Sequence, residues 1–276
     1  MTFDTLQPAD AFVFDVDGTL VLSEDPNTGG GMRAMPGAAE VLRVLRERGK
    51  SFACFTNGTG QLPAGLAAKL RGAGLEVDDA QVLTPASVAA WHIRLRYPEE
   101  GVLAFGTAGV LEPLRDAGVR TVGLENAEKA RVVLVGADPN FDYEKLTAAC
   151  RAVWAGAELL VTSMASYFAS SGGRLPSTSG AIAAGIRHVT GASPIVVGKP
   201  SPLVLEACAR LLEVGAEELV VVGDDLRLEI RMARQCAAQS VLVLSGSSTA
   251  ADLVEVPDAE RPDLVVPDVG GLLEFL

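Results

Sequence analysis

Short apolar runs rich in β-branched residues recur along the chain, at 11–14, 51–55, 102–105, 132–135, 159–162, 195–197, 219–222 and 241–244. They are continuous rather than alternating, the pattern of strands buried on both faces of a parallel sheet. Between them lie stretches with helical spacing of apolar positions, at 38–48, 63–73, 143–155 and 202–212. Strand and helix taking turns from end to end predicts an α/β fold with a doubly wound, Rossmann-like parallel-sheet core. Local punctuation agrees. Ser201 followed by Pro202 reads as an N-cap with proline in the first helical position. Gly49, just after Arg46 and Arg48, reads as a helix stop.

The middle of the chain repeats the strand–helix pattern, but its strand ends carry fewer charged groups, and the chain is loop-like after Gly123 and around 170–179. This predicts a smaller α/β domain, residues 88–192, inserted into a core made of 1–87 and 193–276. An inserted domain of that size suits a lid, which excludes water and grips the part of a substrate that does not react. The stretch 163–179 is rich in hydroxyls and glycine, and Ser166, Tyr167 and Arg174 are its candidate substrate contacts.

Composition narrows the function. The formal net charge is −12, which repels phosphate backbones and anionic lipid, so neither nucleic acid nor membrane is an expected partner. An anionic substrate would need local cations to overturn that field. Cys54, Cys150, Cys208 and Cys236 are spread over the chain without a CxxC pair, as small core residues in a reducing compartment are. The first ten residues lack a basic stretch, and the apolar runs fall far short of the ~20 residues that span a bilayer. A cytoplasmic location is expected.

In an open parallel sheet, ligands bind beyond the carboxyl ends of the strands, so the residues that follow each strand matter most. The first strand runs into Asp15-Val16-Asp17-Gly18-Thr19-Leu20, and the second into Thr56-Asn57-Gly58. Those at 195–197 and 219–222 run into Gly198-Lys199-Pro200 and Gly223-Asp224-Asp225. Phosphoryl transfer needs a nucleophile, an acid for the leaving oxygen and positive charge on the phosphate oxygens. Asp15 can attack phosphorus. Asp17, two residues on, points to the same side of an extended chain and can protonate the leaving group, then activate water. Lys199 supplies a point charge, and the Thr56 hydroxyl with the Asn57 and Gly58 amides can hydrogen-bond phosphate oxygens. Carboxylates gathered beside a phosphate call for a hard divalent cation, and Mg²⁺ fits best.

In that order and on those strand ends, DVDGTL, TNG, GKP and GDD…E resemble the haloacid dehalogenase superfamily. TNGT and VGKPSP resemble its branch of phosphatases with a type-two cap, which includes the 4-nitrophenyl phosphatase and N-acetylglucosamine-operon phosphatase families. The resemblance implies Asp15 as nucleophile and metal ligand, and Asp17 as acid/base and as a metal ligand through its carbonyl. It implies Thr56 and Lys199 at the phosphate, Asp224 completing a Mg²⁺ site, and Asp225 or Glu229 supporting that site from behind. The acid at Asp17 favours phosphomonoester hydrolysis over dehalogenation, which needs no leaving-group proton. Leu228-Glu229 stands where the family usually has Thr-Asp, and restoring Asp at 229 is expected to leave turnover near or above the parent level. The stretch Ser163-Met164-Ala165-Ser166 lacks the acidic residue that relatives often carry there. A homodimer through the cap is an arrangement the resemblance allows.

The expected substrate is a small phosphorylated metabolite: a sugar phosphate, a nucleotide or a similar monoester. The alternative is a slow or non-catalytic phosphoryl-aspartate signalling or sensor protein on the same scaffold. His92 and His188 lie in helical patterns without an evident partner and read as structural. The Gly29-Gly30-Gly31 run reads as a flexible flap, since it lacks the lysine of a phosphate-binding loop.

Overall fold

The structure is a computed structural model that describes residues 6–23, 31–170 and 173–276, with nothing said of the side chains at 168–174. Gly29 and Gly30, and with them most of the expected flap, lie outside the described residues, as does the side chain of Arg174. The chain divides into two compact units: Met1–Thr56, Pro63–Leu83 and Lys199–Leu276 form the first, Asn57–Leu62 and Thr84–Gly198 the second.

The first unit is built on a six-stranded parallel sheet. Its spatial order is Leu264–Val266, Gln239–Val243, Leu219–Gly223, Ala11–Asp15, Ser51–Phe55 and Val82–Leu83. From Ala11–Asp15 the chain first adds strands on one side, then returns to add the rest on the other. The first strand therefore sits at the switch point of the sheet, where α/β folds bind ligands. All five of its residues are buried, which explains its unbroken apolar sequence up to the aspartate. Phe14 packs edge-on against Phe52 of the neighbouring strand, ring centroids 6.2 Å apart. The helix Ala38–Glu47 lays Ala38, Val41, Leu42 and Leu45 on this core. It ends as its sequence predicts: Gly49 takes φ +69°, a left-handed turn that a side chain would resist. The helix Pro202–Leu212 starts at Pro202 behind Ser201, although the Ser201 side chain makes no capping bond.

The second unit holds a four-stranded parallel sheet ordered Ile195–Val196, Glu158–Val161, Ala130–Val135 and Gly101–Phe105, with a core that includes Phe105, Val133, Val135, Leu159, Val161 and Ile186. Here the sequence reading needs correction. The run at 195–197 is expected in the core sheet, but Ile195 and Val196 pair with Leu160 and Val161 of the second sheet. A short apolar run fits either sheet equally well. Only the residues after it, from Lys199 on, belong to the first unit, and Asn57–Leu62 and Thr84–Ser87 belong to the second. A hairpin, Tyr167–Ser170 with Gly173–Pro176, precedes the helix Thr178–Thr190.

Among the described residues no helix is long and apolar enough to cross a membrane. All four cysteines are free thiols; burial pushes those of Cys54 and Cys208 up to about 12, so neither is a reactive thiolate. His92 is buried against Tyr97, ring centroids 6.3 Å apart.

Candidate active site

Asp15 ends the switch-point strand and Asp224 follows the strand beside it. The register pairs Phe14 with Val222, so the two aspartates leave the sheet at the same edge, on strands roughly 5 Å apart. Thr56 follows Ser51–Phe55 on the other side of Asp15, its amide directed to the Leu83 carbonyl at 3.4 Å. Lys199 arrives from the far end of the chain and donates a hydrogen bond from Nζ to Asp15 Oδ1. Its Nζ also lies 2.6 Å from Glu229 Oε1 and 5.7 Å from the centre of the Phe55 ring. Asp15, Lys199 and Glu229 are respectively 8%, 5% and 2% exposed, so one ammonium is shared by two carboxylates largely shielded from water.

That burial sets the charges. Burial pulls the Lys199 ammonium down, but Asp15 and Glu229 outweigh it and hold it above the ordinary lysine value. Burial pushes the Glu229 carboxyl up, Lys199 draws it down, and the charges of Asp15 and Asp224 add to the upward push. One cation cannot neutralise two carboxylates, so the net direction for Glu229 is up. Asp224 is raised to about 6, first by burial and then by the charge of Asp15, against hydrogen bonds from Ser247. Asp17 is raised by burial and by Asp15, and is drawn back by a hydrogen bond from the Ser23 hydroxyl to Oδ1. It faces solvent on one side, which tempers that rise.

Backbone geometry explains why these residue types stand here. Gly18 takes φ +88°, turning the chain sharply after Asp17, and a Cβ there would lie 2.6 Å from Asp224 Oδ2. Gly223 precedes Asp224, and a Cβ on it would lie 2.1 Å from Glu229 Cγ. After Asp224, Asp225 uses its carboxylate to accept the Arg227 amide at 2.7 Å, capping a π-helical turn, Leu226–Ile230. That turn carries Glu229 back beneath the site, where its second oxygen accepts the Asp225 amide at 3.1 Å. Glu229, not Asp225, is the acid whose side chain meets Lys199.

The structure thus gathers Asp15, Asp17, Lys199, Asp224 and Glu229 in the first unit, with Thr56 on the adjacent strand end. Asn57 and Gly58 belong to the second unit, as do Ser166, Tyr167 and Arg174. There Ser166 and Tyr167 are exposed, and the Ser166 carbonyl accepts the Ser177 amide at 3.1 Å. Ser177 in turn caps the helix Thr178–Thr190. Two groups escaped the sequence reading, Ser23 and the segment 245–248, whose Ser247 amide donates to Asp224 Oδ2 at 2.6 Å. The second was findable, because Ser245-Gly246-Ser247-Ser248 also follows a strand at the same edge of the sheet. Among the described residues no three His, Cys, Asp or Glu side chains gather as a metal cluster. Two carboxylates, Asp15 and Asp224, leave the sheet side by side at this edge.

A buried carboxylate, its paired lysine and a second acidic strand end thus meet at the switch point of a doubly wound sheet, where α/β folds bind ligands. Family models for haloacid dehalogenase-like hydrolases match residues 12–120 and 196–272. Ribonucleotide monophosphatase NagD of Escherichia coli K12 is 31% identical over 93% of this chain and 95% of its own length. Human chronophin is 32% identical over 95% of this chain and 90% of its own. The solved 4-nitrophenylphosphatase of Thermotoga maritima superposes with a TM-score of 0.84 at 29% identity, covering 96% of this chain and 97% of that one. The chain belongs to the haloacid dehalogenase-like hydrolase family, within its branch of phosphomonoester hydrolases.

Proposed function

We propose that this phosphomonoester hydrolase acts on a small phosphorylated metabolite through the carboxylate of Asp15. The observation that carries the reading is the buried contact between Lys199 and Asp15, across 184 residues of sequence, beside Asp224 on the neighbouring strand end. A carboxylate so placed is pre-oriented, and a permanently charged lysine next to it is ready to take phosphate oxygens. Asp15 attacks phosphorus while the bond from phosphorus to the leaving oxygen breaks, and Asp17 gives its proton to that oxygen. Asp17, now ionised, takes a proton from water. The water oxygen attacks the phosphorus of the aspartyl phosphate, releasing inorganic phosphate and restoring Asp15. Lys199 and the Thr56 hydroxyl hold the phosphate oxygens throughout, with the Asn57 and Gly58 amides next in the chain after Thr56. Glu229 shares the Lys199 ammonium with Asp15 and helps hold it in place.

The residues present suit Mg²⁺. Asp15, Asp224 and the Asp17 carbonyl are hard oxygen donors, and the Asp224 carboxyl, raised first by burial and then by the charge of Asp15, is one that a divalent cation would stabilise in its ionised form. When bound there, the ion neutralises charge between carboxylate and phosphate. In the second unit, the exposed Ser166 and Tyr167 are proposed as contacts to the non-reacting part of the substrate. Nucleotides are the class to test first, since ribonucleotide monophosphatase NagD and 5'-nucleotidase YutF are among the chain's relatives, and sugar phosphates come next.

The test is kinetic. Purified protein hydrolyses 4-nitrophenyl phosphate in Mg²⁺ and stops in EDTA, and Asp15→Asn abolishes turnover. Full activity in Asp15→Asn overturns the mechanism, and a panel of phosphorylated metabolites then ranks the substrates.

A further inference from the structure

Asp224 is held by a segment that no motif of the sequence singled out. Its Oδ2 accepts the Ser247 amide at 2.6 Å, and its backbone carbonyl accepts the Ser248 amide at 2.9 Å. The Ser248 hydroxyl accepts the Leu226 amide at 3.1 Å, just beyond Asp225. Two glycines wall the carboxylate in. A Cβ on Gly246 would lie 2.0 Å from Oδ2 and 2.6 Å from Cγ of Asp224, and one on Gly18 would lie 2.6 Å from the same Oδ2. The two glycines also approach each other, 3.2 Å separating the Gly246 Cα from a Cβ built on Gly18. Finally, Ser245 Oγ donates to the Gly18 carbonyl at 2.8 Å, tying this segment to the turn that carries Asp15 and Asp17.

We propose that residues 245–248 form a clasp that positions Asp224 for the cation and fixes its distance from the Asp15–Gly18 turn. With Oδ2 engaged by an amide and confined between two glycines, Oδ1 is the oxygen that would be left for a cation. Ser245 and Gly246 are positioning residues: neither touches substrate, and both act through Asp224 or the Gly18 turn. Groups that orient a ligand in this way control metal affinity, about ten- to a hundredfold when removed. This proposal rests on the reading of Asp15 and Asp224 as the metal ligands.

The experiment measures Mn²⁺ binding to the full chain by the loss of the free-ion electron paramagnetic resonance signal, beside thermal melts in EDTA. Asp224→Asn reports on the metal site itself, and Gly246→Ala and Ser245→Ala report on the clasp. Gly246→Ala is expected to weaken Mn²⁺ binding about tenfold or more. Ser245→Ala is expected to weaken it about threefold, and Ser245→Thr, which keeps the donor, to restore it. A general loss of fold would lower the EDTA melting temperature and would not be rescued by threonine. Should Gly246→Ala fail to fold, the Ser245 pair decides the matter alone. If the parent binds Mn²⁺ and Asp224→Asn abolishes binding while the clasp variants bind as the parent does, the clasp is wrong and the metal site stands. If Asp224→Asn binds like the parent, both fall.

Discussion

Asp224→Asn should make the metal-free protein more stable at neutral pH while destroying its function. Asp224 is 5% exposed, and its carboxyl is raised from 3.8 to about 6 by burial and by the charge of Asp15. A carboxyl whose pKa rises on folding binds more protons in the native state than in the unfolded one between those two values. Stability of the metal-free protein therefore falls as pH climbs from about 4 to about 6, and above that the full penalty is carried. A shift of about two units corresponds to roughly 3 kcal/mol. Asparagine has no charge to desolvate, and its amide oxygen can still accept the Ser247 amide. In EDTA at pH 7.5 the variant should melt higher, by about 5 °C. At pH 4 the two proteins should melt together. Added Mg²⁺ should raise the melting temperature of the parent and leave the variant unmoved, because the cation relieves the same repulsion that asparagine removes. Circular dichroism melts from pH 4 to 8, with EDTA and with Mg²⁺, supply the data. A variant no more stable than the parent at pH 7.5, or a gap that does not change with pH, would refute the electrostatic reasoning.

Three further outcomes follow from the same geometry. Lys199→Met leaves Asp15 and Glu229 buried without their shared cation, so urea melts should show a loss of about 3 kcal/mol or more, larger at pH 8 than at pH 5, where Glu229 takes up a proton. Glu229→Asp should lower kcat about tenfold or more: a side chain one methylene shorter cannot reach both Lys199 Nζ and the Asp225 amide, which reverses the expectation that the family's usual residue is tolerated there. Ser23→Ala removes the hydrogen bond that draws the Asp17 carboxyl down, so the alkaline limb of the kcat profile should move to higher pH, and an unmoved limb would separate Asp17 from the leaving-group proton.

Much of this was legible in the chain because the residues that do chemistry stand directly after buried strands. Asp15, Thr56 and Asp224 were placed at one edge of the sheet by their position after apolar runs, and the register bears out that placement. Lys199 meets Asp15 even though the strand before it pairs in the other sheet. The strands Val82–Leu83 and Leu264–Val266 went unseen because two or three residues carry no periodicity. The Lys199–Glu229 contact was beyond reach for another reason. It depends on a π-helical turn and a missing Cβ at Gly223, and neither leaves a pattern in the order of residues.

The account stands on a covalent bond between phosphorus and Asp15. Rapid acid quench of the enzyme during turnover of 4-nitrophenyl phosphate in Mg²⁺, followed by peptide mass spectrometry, tests it directly. One phosphoryl group should be found on the peptide that carries Asp15, and none in Asp15→Asn. A phosphoryl group on any other residue, or steady turnover with Asp15 never modified under conditions that preserve acyl phosphates, would contradict it.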